Sequence, residues 1–293
     1  MVGRVRRRSG GTDRDPSAAS GRTCRRRYRA EVPTPREVVE RWVSSRAGDP
    51  SAHVAACYAA DVTVVDLDGA PLAVGLDALT RLEVESYLRV PDRRCRVVRV
   101  VADAEGDTVV VEALQVGRDT VDAVPMSAPL LCWWRLDADG MIIEEHRFLP
   151  WERRRILDDG SFVTPPAPDG SLRRSAGAAR DLVARWAEAW SWDAGLAVDA
   201  FVADGVLVRP DSCDPPTVLE GSAAWRAAEG AVHADADEPA RVRVDAVVGA
   251  GDTIAVRVAF GDGPAEVLLV VLDDTDRFVR IDRFAPHAHG TRR

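Results

Sequence analysis

The sequence predicts an α+β protein made of two tandem cone-shaped domains, each a bent antiparallel sheet with three helices packed on it. Three observations lead there. Short motifs recur at an offset that drifts from about 144 to about 136 residues: Arg41-Trp42 as Arg185-Trp186, Tyr58-Ala59-Ala60-Asp61 as Phe201-Val202-Ala203-Asp204, and Arg147-Phe148-Leu149-Pro150 as Arg283-Phe284-Ala285-Pro286. Within each copy, helical apolar periodicity comes first and strand-like runs follow. Between the copies lies "DDGSFVTPPAPDGSLRRS", rich in Pro, Gly and Ser, which reads as a linker. The expected division is a disordered arginine-rich tail over 1–32, domains over 33–156 and 175–293, and a linker over 157–174.

In the first copy Thr34-Pro35-Arg36-Glu37 is a capping box with proline at the first helical position. Val38, Val39, Trp42 and Val43 continue it as an apolar stripe. Asp49-Pro50 opens a second helix expected to reach about Ala60. The run "YAADVTVVD" is a strand, "APLAVG" a short arm, and a third helix follows from about Leu76 to Arg89. Four more strands come from "CRVVRVVA", "TVVVEALQVG", "VDAVPMSAPLLCWWRL" and "MIIEEHRFL", several of them separated by the turns "DAEGD" and "DADG". The second copy repeats the order, with a helix over 178–190 and strands near 240–248, 252–260, 265–272 and 277–284.

Composition removes several classes of function. The 293 residues suffice for two ordinary domains. No apolar run approaches the roughly 18–20 residues of a membrane span. The five cysteines form no CxxC, which suggests neither a zinc site nor a disulfide framework, and reads as reduced thiols in a cytoplasm. Residues 1–30 hold ten of the 39 basic residues and two of the 47 acids, a net of +8, leaving −16 for the rest of a chain whose net is −8. So acidic a body argues against nucleic acid as a partner. The basic start reads as a disordered tail, a translated leader, or an arm for an anionic partner.

Asp66 is the residue that asks for chemistry. Alternation places it on one face with Val62 and Val64, where a carboxylate needs either a purpose or a partner. The competing reading ends the strand there and makes Asp66 the start of a solvated turn with Asp68 and Gly69. On the last strand Ile143, Glu145 and Arg147 share one face, and His146 falls on the other, as a surface or interface residue. Ile281 stands where Glu145 would be in the second copy, which turns Glu145 inward. Asp66 and Glu145 then form a candidate carboxylate pair, one an acid and one a base; the alternative is that Glu145 salt-bridges Arg147 or Arg135 at the mouth. Trp133, with Leu131 and Arg135, is expected on the pocket wall, and Trp134 with Cys132 on the outer sheet surface. Trp42 and Tyr58 are core aromatics that also stand as candidate substrate contacts.

"YAADVTVVD" leading to a glycine and helix, and "DGMIIEEHRF" at the last strand, resemble the nuclear transport factor 2-like superfamily, which includes ketosteroid isomerase and the SnoaL-like polyketide cyclases. The resemblance implies a cone with an apolar cavity, no cofactor, no metal, and an apolar or polyketide-like small molecule as partner. It places Asp66 at the proton-abstracting carboxylate of ketosteroid isomerase. It also places Trp42 and about Leu131 where that enzyme keeps its oxyanion donors, so steroid isomerisation is not expected. The tandem arrangement looks most like the epoxide hydrolases of polyether biosynthesis, with Glu145, or Glu83 on the third helix, standing in for that family's second acid. An aldol cyclase or dehydratase, or a non-catalytic binding or assembly protein, are the alternatives. Arg209 is expected at the Asp66 position of the second domain, which then lacks the pair. The two domains are expected to pair within the chain, and a homodimer is the further option.

Overall fold

The computed structural model describes residues 32–66, 69–121, 123, 125–148, 155–156, 175–210, 218–234, 241–249 and 251–284. The expected tail, apart from Val32, and the expected linker lie outside the described residues.

The first helix forms where the capping box directs it. In α1 (Pro35–Arg46), the Thr34 hydroxyl accepts from the Glu37 N–H at 3.3 Å, and the Glu37 carboxylate accepts from the Thr34 N–H at 2.7 Å. In α2 (Pro50–Cys57) the Asp49 carboxylate caps the N–H groups of Ser51 and Ala52. This helix stops three residues short of expectation, because β1 (Tyr58–Asp66) already begins at Tyr58. The arm β2 (Pro71–Val74) leads through Gly75 into α3 (Leu76–Arg89). Gly75 has a φ of 77°, a backbone conformation in which glycine carries no side-chain penalty. The strands β3 (Arg94–Ala102), β4 (Thr108–Arg118), β5 (Pro125–Leu136) and β6 (Ile142–Phe148) complete the sheet, and β7 (Arg155–Ile156) pairs with β5.

The sheet order is β2-β1-β6-β5-β4-β3, antiparallel except where β1 runs parallel to β6. That parallel pair sets Val64 beside Glu145 and Asp66 beside Arg147. It thereby brings the two sequence segments that carry the candidate chemistry into register.

The second copy repeats the plan with α4 (Ala176–Trp192), α5 (Ala194–Phe201), β8 (Val202–Pro210), β9 (Leu219–Glu220), α6 (Ser222–Ala234), β10 (Val242–Val248), β11 (Thr253–Phe260), β12 (Ala265–Leu272) and β13 (Phe278–Phe284). Its order, β10-β11-β12-β13-β8-β9, is the same path read from the other edge. Val208 pairs with Ile281 as Val64 pairs with Glu145. Gly221 donates to the Val206 carbonyl as Gly75 donates to that of Val62. These two markers correct the sequence alignment by one residue: Pro210, not Arg209, matches Asp66, and Arg209 matches Val65. A slip of one along a strand exchanges its faces, and the matched motif "YAAD/FVAD" had no side chain that fixed the phase.

Each copy has its own core beneath its helices, and a third apolar cluster joins the two. It contains Val101, Val110, Leu131 and Trp133 from the first sheet and Val248, Ala255, Val267, Leu269 and Phe284 from the second. Arg99 bridges the same contact, donating to Glu112 at 2.6 Å and to Asp282 of the second sheet. His146 also faces it, with its Nε2 3.0 Å from Arg257.

The phase of β5 is therefore opposite to the sequence expectation. Trp134 and Cys132 point into the first core, with Trp134 5.2 Å from Trp42, whereas Leu131 and Trp133 lie against the second sheet. Arg135 is largely exposed and pairs with Glu144 at 2.8 Å. None of Leu131, Trp133 and Arg135 lines the interior of the cone. The physical reason is that both faces of β5 are buried, so "PLLCWWRL" shows no alternation of polar and apolar residues that could set its phase.

Candidate active site

The helical stripe of α1 extends one turn past Trp42 to Arg46, and the two side chains stack, with the guanidinium 4.7 Å from the indole centroid. On β4 the inward face reads Val109, Val111, Ala113 and Gln115, ending on a buried amide. α3 contributes Glu83, β6 contributes Glu145 and Arg147, and the turn after α3 contributes Arg93. All six of these polar side chains are buried, Arg147 being the most exposed at 5 %.

They form one connected network. Arg147 grips Glu145 with two donors, Nε at 2.8 Å and Nη2 at 2.9 Å, and reaches Glu83 with Nη1 at 2.7 Å. Arg93 donates to Glu83 at 2.9 Å and to Ser86 at 2.8 Å. The Tyr58 hydroxyl donates to Glu145 at 2.8 Å while accepting from the Trp42 indole at 3.0 Å. Arg46 is held less firmly, at 3.4 Å from both Glu83 and Gln115.

The charges follow from this geometry. Burial opposes ionisation of Glu83, but Arg46, Arg147 and Arg93 together hold its carboxyl well below the usual range. Glu145 is likewise lowered: burial pushes it up, and the charge and hydrogen bonds of Arg147 outweigh that. Burial also opposes the Arg147 charge, which Glu145 and Glu83 more than restore. Arg93 is pulled below its ordinary value, first by burial and then by Arg46. His53, behind Trp42 and hydrogen-bonded to Ser45 at 2.8 Å, is driven down to about 3 by burial and then by Arg46, and stays neutral.

Asp66 ends β1, on the face it shares with Val62 and Val64 and in register with Arg147. It is half-buried. Its N–H donates to Ala70 at 2.8 Å and its carbonyl accepts from Gly69 at 2.9 Å, so the strand turns there. The chain therefore turns at Asp66, at the end of the strand whose alternation sets it on the side of Val62 and Val64.

Glu145 does point inward, and it is Arg147 that holds it, deep in the core and not at a mouth. A carboxylate clamped and ionised in this way has no proton to give. Glu83, the alternative acid, is in the same state. Trp42 and Tyr58 are fully occupied with one another and with Glu145. Sequence reasoning missed Arg46, Arg93, Gln115 and His53. The first was available as the next turn of the α1 stripe, and Gln115 as the one polar residue on an apolar alternating face; Arg93 and His53 left no such signal.

The family model of the SnoaL-like domain matches residues 36–145. The first domain is a SnoaL-like domain. The match runs from the first turn of α1 to Glu145 and so encloses most of the network. No curated protein sequence matches the chain. Among solved structures, the chain is similar to a protein of ketosteroid isomerase-like fold from Catenulispora acidiphila, solved in complex with trimethylamine (23% identity, 40% of this chain and 86% of that one, TM-score 0.35). It is also similar to a phenazine biosynthesis-related protein from Pseudomonas aeruginosa (20% identity, 39% and 78%, TM-score 0.34). A third is the epoxide hydrolase/cyclase-like enzyme SalBIII of pyran ring formation in salinomycin (13% identity, 42% and 95%, TM-score 0.38).

The second copy provides an internal comparison. Aligned by register, Trp186 stands for Trp42, Trp190 for Arg46, Val202 for Tyr58, Phe260 for Gln115 and Ile281 for Glu145. Among the described residues, the pairing of the third helix with the last strand is what persists: Glu229 faces Arg283 at 3.4 Å, where Glu83 faces Arg147. The same fold is thus built once around a polar interior and once around an apolar one. Among the described residues, no helix is long and apolar enough to cross a membrane, and no cluster of His, Cys, Asp and Glu could hold a metal ion.

Proposed function

We propose that the SnoaL-like domain is a base-catalysed cyclase acting on a polyketide-like small molecule, and that the second domain is a scaffold. The observation that carries this reading is the difference between the two interiors. Buried ion pairs are seldom the most stable filling for a core, and this chain builds the same cone from Trp190, Phe260, Val202 and Ile281. Retention of the charged set in one copy alone supports a ligand there.

Asp66 is the proposed base. It takes a proton from a carbon flanked by carbonyls; the resulting enolate carbon attacks a carbonyl elsewhere in the molecule and closes a ring. The alkoxide so formed recovers the proton from Asp66, and the balance needs no oxidant and no second acid. Epoxide opening fits less well, because it calls for a protonated partner and both Glu145 and Glu83 are held ionised by arginine. A dehydratase faces the same shortage of an acid. Ligand binding without turnover is the second reading, favoured by the burial of every charge in the network.

The experiment is cyclisation of an aromatic polyketide ester by the full chain and by Asp66→Asn. Loss of roughly 10²–10⁴ in turnover, with an unchanged melting temperature, supports the assignment. Equal turnover by the two proteins ends it.

A further inference from the structure

The sealed interior of the SnoaL-like domain carries an excess of positive charge. Arg46, Arg93 and Arg147 face Glu83 and Glu145, three cations against two anions, which leaves +1. The count is over the fully buried members; His53 is neutral and does not alter it, and Asp66 stands half-buried at the strand end beside Arg147. An uncompensated charge in a core is costly unless something of opposite sign reaches it.

The donors tell the same story. The Arg46 Nε, the Arg93 Nε and the Gln115 Nε2 are buried and have no hydrogen-bond partner. Buried donors are normally satisfied. Arg46 is the most loosely held: its hydrogen bonds to Glu83 and Gln115 are both 3.4 Å, the longest in the network, and it also lies against the Cys95 thiol. Every other ion pair in the set is 2.9 Å or shorter. The open Nε of Arg46 and the open amide N–H of Gln115, whose oxygen lies 3.4 Å from the Arg46 Nη2, are donors of the kind a carboxylate accepts.

We infer that Arg46 and Gln115, with Arg93 beside them, form a binding subsite for the carboxylate of a small monoanionic organic acid. One negative charge balances the interior, and two oxygens satisfy donors that the protein leaves open. The second domain has Trp190 and Phe260 at the Arg46 and Gln115 positions, so each chain carries one such site. Because the set is sealed, binding proceeds by opening the two long Arg46 contacts, the weakest in the network. The inference rests on the first domain being the ligand-binding half, and not on Asp66 being its base.

The test is calorimetric titration of the full chain with acetate, butyrate and benzoate at low ionic strength, with acetamide, benzamide and sodium chloride as controls. The expected result is saturable binding of one carboxylate per chain, with no binding of the amides and weaker binding of chloride. Arg46→Met should weaken carboxylate binding at least about tenfold, since it removes the charge-assisted donor and keeps the volume. Gln115→Glu provides an independent check if Arg46→Met fails to fold: a built-in carboxylate should displace the added one and raise the melting temperature. Absence of carboxylate binding, chloride binding as tight as carboxylate, or full binding by both variants overturns the inference. Asp66→Asn separates it from the cyclase reading. Lost turnover with retained carboxylate binding supports both, and lost turnover in a chain that binds no carboxylate removes the subsite alone.

Discussion

Replacing Glu145 with glutamine tests how strongly the interior depends on its charges. The substitution keeps the shape and leaves one carbonyl to accept from Tyr58, but it removes the anion that Arg147 grips at 2.8 and 2.9 Å. The interior then holds three arginines against Glu83 alone. Removing one partner of a buried ion pair costs about 3–5 kcal/mol. The lower end applies here, because Arg147 keeps its 2.7 Å bond to Glu83. At about 2–4 °C per kcal/mol for a chain of this size, about 3 kcal/mol lowers the melting temperature by about 6–12 °C. Urea unfolding at pH 7, followed through Trp42 and Trp134 fluorescence, measures it. The pH dependence has a definite sign. The folded carboxyl lies below its ordinary 4.5, so its contribution is complete above that value and disappears as pH falls through the folded one. The gap between the two proteins should therefore close in acid. A loss below about 1 kcal/mol at neutral pH, or a gap that widens in acid, would refute the reasoning.

Two further outcomes follow from the same structure. His53 is neutral in the fold down to about pH 3 but takes up a proton near 6.5 when unfolded; stability from this group is complete above 6.5 and declines below it, by about 2–3 kcal/mol at pH 4.5. His53→Gln should flatten the stability profile between pH 6.5 and 4.5, as read by urea unfolding, and an unchanged slope would exclude the buried neutral imidazole. Trp133→Ala removes the largest side chain of the cluster shared by the sheets, where a buried tryptophan contributes about 3–5 kcal/mol. Calorimetry should then resolve two transitions where the parent shows one, and a single transition at an unshifted temperature would place Trp133 elsewhere.

The order of elements was legible in the chain because it rests on local signals. Thr34 and Glu37 make a capping box that no tertiary contact need support, and α3 begins and ends at Leu76 and Arg89 as its periodicity indicates. Phase within the sheet was less legible. In β1 the valines at 62 and 64 fix the inward face, and Glu145 could be placed inward by comparison with Ile281. In β5 two adjacent tryptophans are both buried, and only packing of the second sheet decides that Trp133 takes the outer face. The network itself was partly visible: Glu145 could be placed inward, Arg147 was named as its alternative salt-bridge partner, and Glu83 as a substitute acid. Arg46 and Arg93 did not stand out, in a chain whose basic residues are all arginine. Their partners are 37 and 10 residues away in sequence, and only the folded sheet brings them to one carboxylate.

The central claim is that chemistry resides in the first cone, at Asp66, and that the second cone supports it. Turnover of one polyketide-like substrate by Asp66→Asn and by Glu229→Gln, in otherwise intact chains, tests it most directly. Glu229 is the second domain's counterpart of Glu83 and pairs with Arg283. The account predicts that Asp66→Asn loses roughly 10²–10⁴ in turnover, whereas Glu229→Gln lowers the melting temperature and leaves turnover, measured below that temperature, within about twofold of the parent. Equal losses in the two variants, or a loss confined to Glu229→Gln, would contradict it.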